Sequence, residues 1–172
     1  MPGRETHTSV GVAVGAGYAA WQAKDQSPAN FLVEAAGGAA GGWCGGVLPD
    51  WFEPGTSSWH RSLAHSGTTG TAIVVAAKTK LTDWEKFCRE RAEYCRVQAE
   101  QSGMIVMVPD PLRPWLFVPA PINPWVQLRW KVEEMFWRFA AGFANGLAAG
   151  YVSHLALDAA TPRSIPLLLS GL

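Results

Sequence analysis

Glycine recurs at every fourth position in three separate stretches of this chain of 172 residues, and this spacing constrains the fold more than any other feature. The rows are Gly11 and Gly15; Gly37, Gly41 and Gly45, each with a second glycine beside it; and Gly142, Gly146 and Gly150. Positions four apart share one face of an α-helix. Rows of glycine let two helix backbones approach closely, as in the GxxxG packing of membrane helices. An interior glycine costs a helix about 1 kcal/mol relative to alanine, so the pattern predicts helices that close packing and lipid stabilise.

The glycine rows lie in apolar stretches at residues 6–23, 35–49 and 139–157, and a further apolar stretch spans residues 66–77. A spanning helix needs about 20 mostly apolar residues, and the first and last stretches come closest to that length. Charged residues make up only 16% of the chain, against roughly 25% in typical soluble proteins. The sequence therefore predicts a membrane-associated protein, with compact buried helices of a soluble protein as the alternative. We interpret the first stretch as a retained helix rather than a signal peptide, because Glu5 interrupts its start.

A charged segment and a proline-rich segment separate the last two apolar stretches. Residues 78–100 are dense in charge and in good helix formers, with Thr82 predicted as the N-cap and Gly103 as the stop. The six prolines between positions 109 and 124 exclude a regular helix or a central strand. This second segment could lie on a bilayer interface, cover a site, or be an ordinary loop packed on the body.

No alternation of polar and apolar residues persists anywhere, so we predict an all-α fold. The predicted architecture is a membrane-associated helical bundle with a charged helical excursion and a proline-rich loop. It forms a single domain over residues 1–172, with an insertion at 78–130. Basic and acidic residues balance at 14 each, so no nucleic-acid partner is expected. The three cysteines have no metal-knuckle spacing and are interpreted as reduced thiols.

The chain has only four histidines: His7, His60, His65 and His154. Asp158 follows His154 by four residues, so on a helix the imidazole and the carboxylate can converge on one cation. Such a donor pair suits zinc, manganese or iron(II). His154 also lies in an apolar stretch, where a polar group needs a partner. The HxxxD spacing by itself occurs often by chance.

Four segments together are more specific than that spacing: "THTSVGVAVG", "LPDWFEP", "HRSLAHS" and "GYVSHLALDAATPRSIPLL". In this order they resemble the motifs of the YdjM-like family, membrane-associated proteins with a proposed metal-dependent hydrolase activity. The last segment is also similar to the H-x-x-x-D helix of zinc-dependent phospholipases C, whose fold is all-helical. The resemblance covers both ends of the chain, but not the charged or proline-rich segments. It implies these metal ligands: His7, Asp50, His60, His65, His154 and Asp158.

The sequence departs from the family pattern at Phe52, which replaces the second acid of LPD-x-D, and Glu53 follows it. The resemblance implies a hydrolase of the bacterial inner (cytoplasmic) membrane that uses a divalent metal, zinc first, and metal-activated water. A small-molecule or lipid phosphoester is the expected substrate, and membrane lipid the expected partner; the oligomeric state is left open. Glu53 is the candidate general base or substitute ligand. Arg61 could clamp a phosphate oxygen or pair with an acid such as Asp50.

Two non-enzymatic hypotheses stay open at the level of sequence. In one, a membrane structural or partner-binding protein keeps the polar residues as an internal network, and the glycine-rich helices serve assembly. In the other, the chain is a small membrane-lesion protein of the phage type, which would leave the histidine pattern unexplained.

Overall fold

The computed structural model of the protein describes residues 3–52, 67–121 and 123–160. This part of the chain forms four helices and one antiparallel pair of strands. In chain order they are α1 (Arg4–Gln22), α2 (Pro28–Phe52), α3 (Gly67–Ser102), β1 (Ile105–Pro109), β2 (Phe117–Pro121) and α4 (Pro124–Ala159). The predicted all-α class is therefore confirmed, with one small sheet added.

Helices α1, α2 and α4 pack against one another, and the glycine rows are the surfaces on which they meet. A Cβ atom on Gly15 would collide with the carbonyl oxygen of Gly38, and a Cβ on Gly11 would collide with that of Gly42. Along α1 the residue numbers of these contacts rise, whereas along α2 they fall, so the two helices are antiparallel. Only glycine permits this approach, as the four-residue spacing predicted.

Helix α4 packs on α2 in the same way but runs parallel to it. A Cβ on Gly142 would meet the backbone of Glu34, and a Cβ on Gly150 would meet that of Gly42. The neighbouring row on α2 faces the same helix, since a Cβ on Gly41 would meet the carbonyl oxygen of Phe143. Each residue of α2 is thus level with the residue 108 positions later on α4.

Helix α3 differs from the sequence prediction at its start. The predicted N-cap, Thr82, lies inside a continuous helix that begins at Gly67. The apolar stretch and the charged segment form one helix because residues 71–102 contain neither glycine nor proline to interrupt it. The predicted stop is confirmed, because α3 ends at Ser102 and the Gly103 amide donates to the carbonyl of Ala99 at 3.0 Å.

The proline-rich segment forms a β-hairpin, which the sequence did not predict. The register pairs Val106 with Ala120 and Val108 with Val118. The pairs that alternate with these two contain the three prolines of the strands: Pro109, Pro119 and Pro121. In a two-stranded sheet each strand has an outer edge, so prolines at every second position cost no ladder hydrogen bond. Helix α4 then starts at Pro124, capped by the Asn123 side chain, which accepts from the Val126 amide at 3.2 Å.

Among the described residues, one helix is long and apolar enough to cross a membrane, the segment Pro28–Trp51 of α2. The sequence favoured the first and last apolar stretches instead, and began the second apolar stretch at residue 35. In the structure α2 begins seven positions earlier and Glu34 is fully buried inside it. At 1.5 Å per residue, its 25 residues extend about 37 Å.

Candidate metal centre

Three helix ends meet at one end of the bundle, and each brings a predicted ligand. His7 lies in the first turns of α1, Asp50 near the end of α2, and His154 and Asp158 in the last turns of α4. The convergence follows from the packing directions. Helix α4 ends where its parallel neighbour α2 ends, and the antiparallel α1 begins there.

The nitrogen and oxygen atoms of these four side chains lie close together. His7 Nε2 is 3.4 Å from Asp158 Oδ1, and His154 Nε2 is 3.5 Å from Asp158 Oδ2. The same atom, His154 Nε2, is 3.6 Å from Asp50 Oδ1. One ligand atom from each of His7, His154 and Asp158 can be chosen so that all three lie within 4.8 Å of one another.

The orientation of His154 is fixed by a backbone group. Its Nδ1 lies 2.6 Å from the carbonyl oxygen of Gly46, a group that can only accept. The Nδ1 atom therefore carries a ring proton, and Nε2 faces the carboxylates of Asp50 and Asp158. Metal-binding histidines characteristically make such a bond through their second nitrogen. Gly46 also adjoins α1, because a Cβ there would lie 2.8 Å from the carbonyl oxygen of His7.

Three of the four side chains of the centre are almost completely buried, and the fourth, Asp50, is partly exposed. His154 is fully buried, and the His7 and Asp158 side chains are only 5% and 6% exposed. The Asp50 side chain is 33% exposed. Ionised carboxylates in such surroundings need compensating charge or hydrogen bonds. A small ligand could reach the centre from the Asp50 side.

The donor set and its spacing fit a divalent cation. Two imidazoles and two carboxylates are ligands that zinc, manganese and iron(II) accept. Two ligand atoms that share a tetrahedral zinc ion at about 2.1 Å are about 3.4 Å apart. The three nitrogen–oxygen separations of 3.4, 3.5 and 3.6 Å match this distance between two ligands of one ion. They exceed the roughly 2.7–3.2 Å that is usual for a direct N–H···O hydrogen bond.

The structure thus brings together four of the six ligands that the resemblance implied. The other two, His60 and His65, lie outside the described residues, as do the candidate catalytic residues Glu53 and Arg61. Their roles stay predictions.

A second buried polar cluster, at the opposite end of α2, was missed at the level of sequence. Glu34 Oε2 lies 2.8 Å from Arg89 Nη2 of α3, and Glu34 Oε1 lies 3.4 Å from Arg138 Nη1 of α4. Next to it, the Asn30 amide donates to Glu134 at 3.2 Å. The sequence does show Glu34 as a single acidic residue among apolar ones, which suggests a buried charge. It does not show which side chain pairs with that charge, and Arg138 is 104 residues away.

The α3 cysteines lie beside this second cluster and are free thiols, as predicted. Cys88 and Cys95 are both fully buried. Burial raises the pKa of Cys88 to about 11, and the neighbouring Glu85 carboxylate adds to the effect. Burial also raises the pKa of Cys95, assisted by Glu133. Neither thiol has the acidic character of a metal-binding or catalytic cysteine.

Fold and site together define a class: a glycine-packed helical bundle with a buried cluster of histidines and aspartates where three helix ends meet. The sequence model of a family described as YdjM inner membrane protein matches residues 1–169. The chain therefore belongs to this family and is a protein of the bacterial inner (cytoplasmic) membrane. No curated protein and no solved structure matches the chain.

Proposed function

We propose that the protein is a membrane-associated hydrolase that binds divalent metal, zinc first, and acts on a phosphoester. One observation supports this most directly: the side chains of His7, Asp50, His154 and Asp158 converge. Their nitrogen and oxygen atoms lie at the distances expected between ligands of one metal ion. A bound divalent cation supplies Lewis acidity, which lowers the pKa of water towards neutrality and offsets charge on a phosphoryl oxygen.

The side chains of the cluster have separable roles in this proposal. His154, held by the Gly46 carbonyl, offers a lone pair of fixed direction. Asp158, which has one oxygen next to each imidazole, supplies negative charge to both. Asp50 is the most exposed of the four and lies where a substrate would enter. Glu53 as general base and Arg61 as phosphate clamp complete the proposal from the segment that follows α2.

The position of the centre favours a lipid substrate over a soluble one. Asp50 lies in the last turns of the helix that is long and apolar enough to span a bilayer. The hydrocarbon core is about 30 Å thick and the headgroups begin just beyond it. A centre at the end of such a helix is level with lipid headgroups, whose phosphodiesters are the matching chemistry.

The outer faces of α1 and α2 support lipid as the partner. Large apolar side chains are exposed there, among them Trp21 at 61%, Leu32 at 65% and Trp51 at 57%. An apolar groove of about 410 Å³ between α3 and α4, lined by Trp84, Phe139 and Leu147 among others, adds to this surface. Exposed apolar surface with tryptophan at helix ends is typical of contact with a bilayer.

The test is a metal analysis combined with a hydrolysis assay on the full chain, extracted in mild detergent. We expect bound zinc, and cleavage of a chromogenic phosphodiester or of phospholipid in mixed micelles. Asp158→Asn should abolish both. Asp25→Asn makes the same chemical change on an exposed turn and should alter neither.

The two outcomes separate the enzyme from the structural alternative. A protein that binds no transition metal after gentle extraction would contradict the proposal. It would favour a membrane structural or partner-binding protein in which the histidines and aspartates form an internal network. Metal binding without cleavage of either substrate class would contradict the phosphoester assignment alone.

A further inference from the structure

The two buried imidazoles of the centre are stacked on each other. The ring centroids of His7 and His154 are 4.0 Å apart, and the ring planes are inclined by 24°. Each ring has its Nε2 atom next to Asp158. The two nitrogens therefore face the same carboxylate from two roughly parallel layers.

This stacking constrains how many cations the pair can hold. An imidazole binds metal through a lone pair that lies in the plane of its ring, with the metal about 2.1 Å from the nitrogen. Two stacked rings whose centroids are 4.0 Å apart and whose planes are inclined by only 24° do not have planes that meet within that distance of both nitrogens. A single ion bound to both rings would lie well outside at least one ring plane.

Asp158 faces the rings with a different oxygen towards each. Oδ1 is the atom 3.4 Å from His7 Nε2, and Oδ2 is the atom 3.5 Å from His154 Nε2. Each of these two distances matches the separation of two atoms that bind the same metal ion. A carboxylate that offers one oxygen to each of two neighbouring cations is a bridging ligand, and paired metals in hydrolases lie about 3.5–4 Å apart. The ring separation of 4.0 Å falls at the upper end of that range.

We infer that the centre is built for two divalent cations bridged by Asp158. One cation takes His7 and Asp158 Oδ1; the other takes His154, Asp158 Oδ2 and Asp50 Oδ1. The inference rests on the proposed metal-dependent function and adds to it the number of ions and the assignment of each ligand. A paired centre can hold both the attacking and the leaving oxygen of a phosphoester, which is the substrate class proposed above.

The two halves of the pair are unequal. Among the described residues, the His154 half has three protein ligands and an imidazole fixed by the Gly46 carbonyl. The His7 half has two. Outer contacts of this kind are worth about 10–100-fold in metal affinity, so the His154 half should bind its ion more tightly. The two ions should therefore bind in two separable steps.

The experiment is a titration of the metal-stripped full chain with manganese(II), followed by equilibrium dialysis and electron paramagnetic resonance. We expect two ions per chain bound in two steps. At full occupancy the spectrum should be that of a spin-coupled pair rather than of isolated manganese. His7→Ala should bind one ion with an uncoupled spectrum, and Asp25→Asn should behave as wild type. Circular dichroism checks that each variant is folded.

The outcomes distinguish this inference from the function on which it rests. One uncoupled ion per wild-type chain would overturn the two-cation centre and leave the proposed metal dependence standing. Two ions without coupling would also overturn it, because bridged ions must interact. No bound ion of manganese or zinc would overturn both. Because the stoichiometry and coupling are read on the wild type, a misfolded His7 variant would not obscure the result.

Discussion

The two polar clusters at opposite ends of α2 have different electrostatic designs. At one end, the Glu34 carboxylate is in direct contact with two guanidinium groups, at 2.8 Å from Arg89 and 3.4 Å from Arg138. At the other end, two carboxylates and two imidazoles stand 3.4–3.6 Å apart. The first cluster contains cation and anion together. The second has the spacing and the negative charge that suit an added cation.

This difference separates a structural cluster from a candidate site. The Glu34 cluster connects α2, α3 and α4, whereas the histidine–aspartate cluster connects α1, α2 and α4. The two share α2 and α4 and are separated along α2 by 16 positions, about 24 Å at 1.5 Å per residue. Changes to one cluster should therefore leave the other intact, which gives a way to test the contrast.

The largest expected effect comes from Glu34→Ala. The substitution leaves two largely buried guanidiniums without their shared carboxylate, and breaking a buried ion pair in this way costs about 3–5 kcal/mol. Denaturant unfolding in detergent measures the loss. Glu100→Ala, which removes an exposed partner of Arg96 outside the Glu34 cluster, should cost no more than about 1 kcal/mol. Folded Glu34→Ala protein should keep the metal stoichiometry of the wild type. A loss of metal would show that the two clusters are not independent.

A smaller effect should follow from Gly15→Ala. The added methyl group would collide with the Gly38 carbonyl, and overpacking of this kind costs about 1–3 kcal/mol. The resulting shift of α1 should also weaken metal binding through His7, while the Glu34 cluster, which involves no residue of α1, stays intact. Gly17→Ala on the same helix meets nothing within 4 Å. That variant should be more stable by up to about 1 kcal/mol.

The smallest change is expected in thiol chemistry next to the Glu34 cluster. With a pKa of about 11, about one Cys88 thiol in a thousand is ionised at pH 8, and the thiolate is the reactive form. Alkylation by N-ethylmaleimide at pH 8 should be slow in folded wild type and should rise in Glu34→Ala, where α3 is less firmly held. Mass spectrometry of the peptide containing Cys88 follows the rate. Rapid alkylation of the wild type would contradict the packing of α3 described here.

The sequence predicted the packing of the bundle better than the extent of its elements. Glycine spacing is local information, and it predicted helices that approach closely along their glycine rows, as α1 and α2 do at Gly15 and Gly42. The predicted start of α3 was wrong because a threonine before a charged run was interpreted as a cap, although no helix breaker precedes it. The hairpin was missed because its prolines occupy only positions whose backbone nitrogens point away from the partner strand. This pattern can be recognised only when the strand register is known.

The same distinction holds for the two clusters. His154 and Asp158 could be paired from spacing alone, since a helix brings residues four apart together. The resemblance to a family, and not spacing, added His7 and Asp50 to the set. No such help existed for Glu34, whose partners lie on two other helices. The stacking of the imidazoles, on which the proposed number of ions rests, depends on side-chain geometry that no pattern of residue types contains.

X-ray absorption at the zinc edge, on purified zinc-loaded protein, identifies the atoms that bind the metal. We expect a first shell of nitrogen and oxygen at about 2.0–2.2 Å, with outer-shell scattering from imidazole, and the loss of that signal in Asp158→Asn. A first shell of sulfur at about 2.3 Å would place the metal on cysteine. That result, or a protein that takes up no zinc, would contradict the assignment of His7, Asp50, His154 and Asp158 as its ligands.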